Sequence, residues 1–288
     1  MAIRLGLFVN PSAELYRDSL ALVDAAERGG LDLIGIQDHP YQRRFLDTWT
    51  LIADLLARTE QLRFFPDVAN LPLRHPAMIA KQAASLDVMS GGRFELGLGA
   101  GAFWEGVAAM GGPARSPRES VDALEEAIAI IRAAWSGQRG VTFEGRHYRV
   151  RGWQPGPPPA HPIGIWLGAY RPRMLGLTGR LADGWLPSLG GLDPSDAPSA
   201  HARIDEAAAS AGRDPGEVLR LYNIMGGRIT DGERGEGPLD GPPELWVDTL
   251  AGWSRELRFD GFLVGFSEPA QVERFAAEVA PALREAVG

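Results

Sequence analysis

The chain has 288 residues, of which 45% are hydrophobic and 23% charged, a composition typical of a globular protein with a large core. Its net charge of −8 argues against nucleic acid or an anionic membrane surface as a partner. The absence of cysteine excludes disulfides, thiolate nucleophiles and cysteine-based metal sites, and the five scattered histidines contain no H-x-x-x-H pair, so no metal site is expected.

The N-terminal segment predicts a strand over residues 3–9, because apolar residues alternate there. It lacks the charged and then apolar pattern of a secretion signal. No apolar run in the chain approaches membrane-spanning length. We therefore expect a cytoplasmic protein without a membrane partner.

The first half of the chain repeats a unit made of a strand, a loop and a helix. The strands are predicted at residues 3–9, 31–36, 62–65 and 93–98, and the first three helices at 14–28, 47–58 and 76–88. The helix starts carry the expected residues, since Asp47 caps the second helix and Pro76 opens the third. Repeated units of about 30 residues predict parallel strands with right-handed crossovers.

The second half continues this pattern less regularly. Between the fourth and fifth strands we predict an irregular segment (103–117), an amphipathic helix (118–135), a hairpin (141–150) and a proline-rich stretch (153–162). Four more strands are predicted at 163–167, 183–187, 219–225 and 261–265, followed by helices at 172–181, 199–211, 244–257 and 269–285. The loop 226–243 is glycine-rich and acidic, which is typical of a mobile segment.

Eight strand–helix units without a long linker favour a closed (β/α)8 TIM barrel, an α/β fold, over an open doubly wound sheet. We expect a single domain over residues 1–288. The hairpin and the proline-rich stretch, roughly residues 137–162, would form an insertion between units four and five.

Barrel enzymes carry their chemistry at the carboxyl ends of the strands, so the residues there are candidates. Asp38 and His39 follow the second strand, and His39 can exchange a proton near neutral pH. Alternatively, Asp38 and His39 could be a helix cap and a packed loop histidine. Their place at the carboxyl end of a strand favours a functional role. Asp67 and Asn70 follow the third strand and could bind the polar edge of a ring, although both are also ordinary turn residues.

Two strand ends are candidate phosphate sites. The glycine run 97–101 offers bare backbone N–H groups to an anion, although such runs also serve plain tight turns. The segment 168–171 precedes Pro172, and a helix N-terminus beside Arg171 attracts anions.

Other catalytic patterns are scarce. No Ser/His/Asp order and no paired carboxylates on a helix face stand out. A protein that has phosphate sites but few catalytic side chains is typically one in which a bound cofactor performs the reaction. Three tryptophans near predicted strand ends or in the irregular segment could stack on a flat ligand or simply fill the core: Trp104, Trp166 and Trp185.

Four segments near these strand ends carry a family resemblance. They are 37–40 (QDHP), 70–87 (beginning NLPLRHP), 90–101 (SGGRFELGLGAG) and 181–185 (LADGW). The chain resembles the bacterial luciferase-like flavin-dependent oxidoreductases, a superfamily that includes deazaflavin F420-dependent reductases and dehydrogenases. The resemblance implies a flavin or deazaflavin lying across the carboxyl-terminal mouth of the barrel.

The resemblance also implies roles for individual residues. His39, with Asp38 beside it, would lie near the reacting part of the ring and act in proton transfer. A loop would lie against the ring and contain a non-proline cis peptide near Val68–Ala69; its residues are Asp67, Val68, Ala69 and Asn70. The tail of the cofactor would lie near Gly99, Ala100, Gly101, Gly168, Ala169, Tyr170 and Arg171.

The two cofactors imply different chemistry. F420 would transfer a hydride to or from a small organic substrate, whereas reduced FMN would react with O2, support monooxygenation and require a partner reductase. The Asp38–His39 pattern is closer to the F420 users. Lys81 is the only lysine among 29 basic residues, a coding bias that fits the GC-rich genomes of organisms that make F420.

Two other classes of function stay open. A non-catalytic flavin-binding protein is one, although the presence of Asp38, His39 and both phosphate loops argues against it. A metal-dependent barrel hydrolase is the other, and it would need more than one histidine at the strand ends. By analogy with the family we also expect a homodimer.

Overall fold

Eight short apolar segments form the parallel strands of one sheet in the computed structural model, which describes residues 2–288. They are β1 (Arg4–Val9), β2 (Leu33–Ile36), β3 (Arg63–Pro66, with the two-residue strand Ala69–Asn70 in the loop that follows it), β4 (Leu96–Gly99), β5 (Ile165–Leu167), β6 (Gly184–Trp185), β7 (Leu219–Ile224) and β8 (Gly261–Val264). β8 pairs with both β7 and β1, and a bridge between Phe64 and Phe94 joins β3 to the chain before β4. The sheet therefore closes on itself, and the predicted (β/α)8 barrel is confirmed.

A helix follows each strand and covers the outside of the barrel. The helices are α1 (Tyr16–Arg28), α2 (Thr48–Arg58), α3 (Pro76–Ser90), α4 (Pro117–Trp135), α5 (Pro172–Leu181), α6 (Ala197–Ser210), α7 (Pro243–Leu257) and α8 (Pro269–Arg274, continued through the π-helical turn Phe275–Val279 to Ala280–Val287). Local sequence sets their starts: the Asp47 carboxylate accepts a hydrogen bond from the Thr50 N–H, and Ser116 and Glu119 form a capping box. No helix within residues 2–288 is long and apolar enough to cross a membrane.

The connection between β4 and β5 contains an antiparallel hairpin, Val141–Glu144 with Arg149–Trp153. Its turn is held on α4, because the Glu126 carboxylate accepts hydrogen bonds from the backbone N–H groups of residues 146, 147 and 148 at 2.7–2.9 Å. The hairpin lies outside the barrel sheet. Its role as a separate insertion remains a prediction.

Two segments are more regular than their sequences predict. The stretch 103–117 contains a short helix, Trp104–Ala109, and the loop 226–243 contains a parallel pair of two-residue strands, Arg228–Ile229 and Asp240–Gly241. This strand pair is held by α8, because the Gln271 side chain accepts a hydrogen bond from the Ile229 N–H and donates one to the Ile229 carbonyl. These contacts come from distant parts of the chain, so local composition does not reveal them.

The barrel interior is filled by side chains and is not a pore. One buried cluster draws residues from six of the eight strands and from the loop that follows β6: Phe8, Leu33, Phe65, Trp166, Leu186, Leu221 and Leu263. A larger buried cluster lies between the strands and the helices. Space for a ligand therefore remains only at the ends of the barrel, outside the inner cluster.

A polar network around His161 lies at the amino-terminal end of the barrel, beside a cavity of about 650 Å³. Its Nδ1 lies 2.7 Å from Asp87 Oδ1 and its Nε2 lies 3.1 Å from Glu95 Oε1, and Arg63 donates to Glu95 at 2.8 Å. The hydrogen bond to Glu95 and the nearby Asp87 charge raise the pKa of His161, and burial partly opposes this rise. The network ties the chain after the hairpin to α3 and to the chain before β4.

Replacing His161 with alanine is expected to lower the free energy of unfolding by about 1–3 kcal/mol, because the buried Asp87 Oδ1 loses its hydrogen bond. The folded-state pKa is raised, so the stabilisation is complete below the ordinary histidine pKa and declines as pH rises through the folded value. Urea unfolding at several pH values measures both effects. His147→Ala is the control, since no hydrogen bond to its Nε2 exists within residues 2–288. Equal losses in both variants at every pH would contradict this role of His161.

Candidate active site

A cavity of about 940 Å³ opens at the carboxyl-terminal end of the barrel. Phe8 and Leu186 of the inner cluster form part of its lining, and the loops after β2, β3, β4, β5, β6 and β7 supply the rest. Its volume lies in the range of about 300–1,000 Å³ typical of ligand pockets. This is the end of the barrel at which such folds carry their active sites.

The predicted site residues meet at this cavity, with one exception. Those that line it are Asp38, His39, Asp67, Val68, Ala69, Asn70, Gly99, Ala100, Gly101, Gly168, Tyr170 and Arg171. Ala169 does not line it, because its side chain is buried and its carbonyl oxygen accepts a hydrogen bond from the Trp185 indole at 2.8 Å. Ala169 therefore anchors the loop after β5 to the buried Trp185 and does not contact the cavity.

Asp38 connects two of the loops. Its side chain is 1% exposed, its Oδ2 accepts the Asn70 N–H at 3.0 Å, and Arg74 Nε lies 3.7 Å from the same oxygen. Burial raises the pKa of Asp38, while the Arg74 charge and the Asn70 N–H oppose that rise. The carboxylate therefore fixes the loop after β3 to the loop after β2, which is a positioning function.

His39 stands in an aromatic wall of the cavity. Its ring lies 5.5 Å from the Tyr41 ring and 5.2 Å from the Phe103 ring, measured between centroids. Burial lowers the pKa of His39, so the neutral imidazole predominates at neutral pH. No protein hydrogen bond to the ring nitrogens occurs within residues 2–288, so they are free to bind a ligand in the cavity.

The loop after β3 carries a projecting valine. The Asp67–Val68 peptide is cis, one bond before the expected position. The Val68 side chain fits between two other loops, because a Cβ at Gly99 would lie 2.7 Å from Val68 Cγ2 and one at Gly168 would lie 3.2 Å from it. These two glycines thus make room for Val68, a packing role that the glycine pattern alone did not reveal.

Replacing Gly99 with alanine is expected to weaken binding of a flat ring at this loop by about tenfold or more, because the new methyl group would displace Val68. Gly252→Ala is the matched control, since a Cβ there meets no atom within 4 Å. Fluorescence titration with a flavin and urea unfolding of both variants measure binding and stability separately. Unchanged affinity in Gly99→Ala would show that Val68 does not shape the ring site.

Two polar side chains of the cavity wall, Asp67 and Ser188, lie beside the buried Asn223. The Asn223 amide nitrogen donates to Ser188 Oγ at 3.2 Å, while Asn223 Oδ1 and Asp67 Oδ2 are buried without a hydrogen-bond partner within the described residues. Burial raises the pKa of Asp67 to about 7, and the neighbouring Asn223 amide opposes the rise. Buried polar atoms without partners are rare in proteins, so these atoms indicate a place where a ligand or a proton completes the bonding.

A second cavity of about 650 Å³ adjoins the first along the starts of α4 and α5. The two cavities share Ala100, Gly101, Arg171 and Met174. The second adds Arg118 and Arg173, and Arg173 donates to the Arg118 carbonyl at 2.9 Å. No salt bridge to Arg171 occurs within residues 2–288, so its charge is available to an anion at the boundary between the cavities.

Several lining residues were not predicted from the sequence. They come from the inner cluster, from α5 and from the loops after β2 and β6: Phe8, Tyr41, Met174, Leu186, Leu189, Gly190 and Gly191. Of these residues, only Tyr41 could have been identified from the sequence, because it lies two residues after His39. Trp166 and Trp185 are buried in the core and take no part in the cavity, whereas Trp104 lines the second cavity. No three histidine, aspartate or glutamate side chains in the described chain come together as a metal site.

Comparison with known proteins gives consistent matches. A family described as luciferase-like monooxygenase matches residues 3–225. An F420-dependent hydroxymycolic acid dehydrogenase of Mycobacterium tuberculosis is 32% identical over 232 residues, covering 77% of this chain and 63% of that protein. The aligned regions span 61–64% of the length of the first curated relatives.

Solved structures match the fold over nearly the whole chain. An F420-dependent secondary alcohol dehydrogenase in complex with an F420–acetone adduct has a TM-score of 0.86 at 19% identity, covering 98% of this chain and 99% of that one. The oxygenating constituent of 3,6-diketocamphane monooxygenase from Pseudomonas putida, in complex with FMN, has a TM-score of 0.78 at 20% identity, covering 98% of both chains. At these identities the likeness establishes the barrel fold.

Proposed function

Because the chain belongs to the luciferase-like monooxygenase family, we propose that it is an F420-dependent oxidoreductase that transfers a hydride to or from a small organic substrate. The observation that carries the proposal is the combination of groups around one cavity. The neutral His39, the projecting Val68 and the unpaired Arg171 line this cavity. Its lining residues include no nucleophile–base pair. The similarity to an F420-dependent dehydrogenase over 77% of the chain supports F420.

The residues of the cavity fit such a cofactor. Val68 offers an apolar surface for a ring, and the side chains of Asn70 and Asp67, each with a buried oxygen that has no hydrogen-bond partner within residues 2–288, stand in the same wall for its polar edge. Gly101 and Arg171 lie where the main cavity meets the second one, and would hold a phosphate. When bound, a 5-deazaflavin supplies a carbon centre that accepts or donates hydride.

In this proposal His39 exchanges a proton with the substrate, because its ring faces the cavity and is neutral at neutral pH. Asp38 keeps the loop after β3 in place through the Asn70 N–H. Three exposed apolar side chains surround the mouth of the cavity, Phe103, Tyr170 and Met225, which favours an apolar alcohol or ketone as substrate.

Monooxygenation with reduced FMN and O2 is the second candidate. The structural likeness to an FMN-bound monooxygenase over 98% of both chains favours it. This function would require a partner reductase to supply reduced FMN. The two candidates therefore differ in cofactor, in the use of oxygen and in the need for a second protein.

We also propose that the protein is a cytoplasmic homodimer, built from one domain per chain. Three apolar side chains on α3, Met78, Val88 and Met89, are 45–78% exposed and offer a surface for a second copy. Sedimentation of the purified protein measures its oligomeric state.

The deciding experiment is a titration with F420 and with FMN, each oxidised and reduced, that follows ring fluorescence. Tight binding of F420 alone, followed by hydride exchange with alcohols or ketones, would support the proposal. Tight binding of FMN alone would support monooxygenation. Binding of neither would overturn both and favour a non-catalytic role.

A further inference from the structure

We propose that Asp67 is a neutral carboxylic acid that donates its proton in a hydrogen bond to an oxygen of the bound ligand, so that binding is coupled to proton uptake. The inference rests on the proposed function for the identity of the ligand. The accepting oxygen belongs either to the ring of the cofactor or to the substrate.

The carboxyl group of Asp67 is fixed in the cavity wall. Its side chain is 8% exposed and lines the cavity, and its backbone N–H donates to the Ile36 carbonyl at 2.7 Å. A Cβ at Gly35 would lie 2.8 Å from Asp67 Oδ2, so β2 approaches the carboxyl group closely. That oxygen is nevertheless without a hydrogen-bond partner within residues 2–288.

No cation compensates this carboxyl group. None of the salt bridges within residues 2–288 involves Asp67. Besides Asp67, the ionisable side chains that line the cavity are Asp38, His39, Tyr41, Tyr170 and Arg171. Asp38, Tyr41 and Tyr170 could add only negative charge, and His39 is neutral. Arg171 forms no salt bridge with Asp67 within residues 2–288, and it is not among the groups that shift the pKa of Asp67. An unpaired buried carboxylate is costly, so the neutral acid is the favoured form, in line with the raised pKa of Asp67.

A neutral carboxylic acid changes what the cavity can bind. An ionised carboxylate only accepts hydrogen bonds, whereas the acid also donates one. The Asn223 amide does not supply this donor, because it donates to Ser188 and also bonds Asp67, and Asn223 does not line the cavity. A carbonyl or alkoxide oxygen at this position would thus be recognised by Asp67, and a bound negative charge on that oxygen would raise the affinity of Asp67 for its proton further.

The first test uses the ligand-free protein. Infrared difference spectra between the wild type and Asp67→Asn report whether residue 67 carries a protonated carboxyl group. We expect its band below about pH 7 and its loss above, since the pKa of Asp67 is about 7. Asp248→Asn, at an exposed position on α7, is the matched control. Absence of the band at about pH 5.5, well above an ordinary aspartate pKa, would overturn the proposal whatever the cofactor.

The second test measures proton uptake by calorimetry in buffers of different ionisation enthalpy, with F420 and with FMN as probes. Above about pH 7, affinity is expected to fall up to about tenfold per pH unit in the wild type. Asp67→Asn should bind without this dependence, because its amide still donates a hydrogen bond. Uptake with the cofactor alone assigns the oxygen to the ring, and uptake only when a ketone joins the complex assigns it to the substrate.

The two proposals can fail separately. If a cofactor binds above about pH 7 but neither complex takes up a proton there, or if Asp67→Asn keeps the wild-type pH dependence, the role of Asp67 is overturned while the proposed function stands. If neither cofactor binds the wild type, the proposed function fails and the ligand part of the inference fails with it. The infrared band then still decides whether Asp67 holds a proton in the empty cavity.

Discussion

Turnover of the His39→Ala variant is expected to be about 10²–10⁴-fold slower than that of the wild type, with little change in cofactor affinity. The imidazole faces the cavity without a protein partner for its nitrogens within residues 2–288, and its lowered pKa keeps it neutral at neutral pH. Its loss removes proton exchange and leaves the ring-binding loop at Val68 intact. Steady-state hydride transfer gives the rate, and fluorescence titration gives the affinity.

His39→Phe separates proton exchange from packing. Phenylalanine keeps the aromatic contacts to Tyr41 and Phe103 but has no ring nitrogen. It should be as slow as the alanine variant if proton exchange is the function. In the wild type the rate should hold through the ordinary histidine pKa of about 6.5 and fall only at lower pH, because burial lowers the pKa of His39. Full activity of His39→Phe would reduce His39 to a packing residue.

Cofactor binding by Arg171→Ala is expected to be weaker by about 1–3 kcal/mol, or about 5–150-fold in Kd. Arg171 lies at the start of α5, where both cavities meet, and no acidic side chain in the described chain neutralises it. A phosphate there would accept charge-assisted hydrogen bonds. Titrations with F420, and with the same chromophore lacking its phosphate, measure the effect.

The phosphate-free ligand makes the test specific. If Arg171 contacts the phosphate, the alanine variant should bind the phosphate-free chromophore as well as the wild type does. Arg180→Ala is the control, because Arg180 lies on the same helix and pairs with Glu125 away from the cavity. An equal loss with both ligands would place the phosphate elsewhere.

The barrel could be predicted because its signals are local. Alternating apolar runs, Asp47 before α2 and proline at the start of α3 each act within a few residues. The carboxyl ends of parallel strands meet by necessity, so most of the candidate site followed from the strand assignments. The family resemblance added the cofactor and the cis peptide.

The features of the site that could not be predicted depend on contacts between distant segments of the chain. Gly99 and Gly168 suggested phosphate loops, but the structure shows that they also accommodate Val68. Trp185 suggested ring stacking but is buried under the loop after β5. In the sequence Asp67 resembles an ordinary turn residue. Its raised pKa results from burial in the closed barrel. Composition and spacing do not report such packing.

The fit of Val68 between Gly99 and Gly168 also limits how the site can be redesigned. Each of the three residues belongs to a different strand–helix unit, so a library that varies one loop at a time will reject larger side chains at all three positions. A larger residue at 99 becomes tolerable only with a smaller one at 68, and the effects of such substitutions will not add. Reshaping of the ring site therefore requires paired mutations across loops that are far apart in the chain.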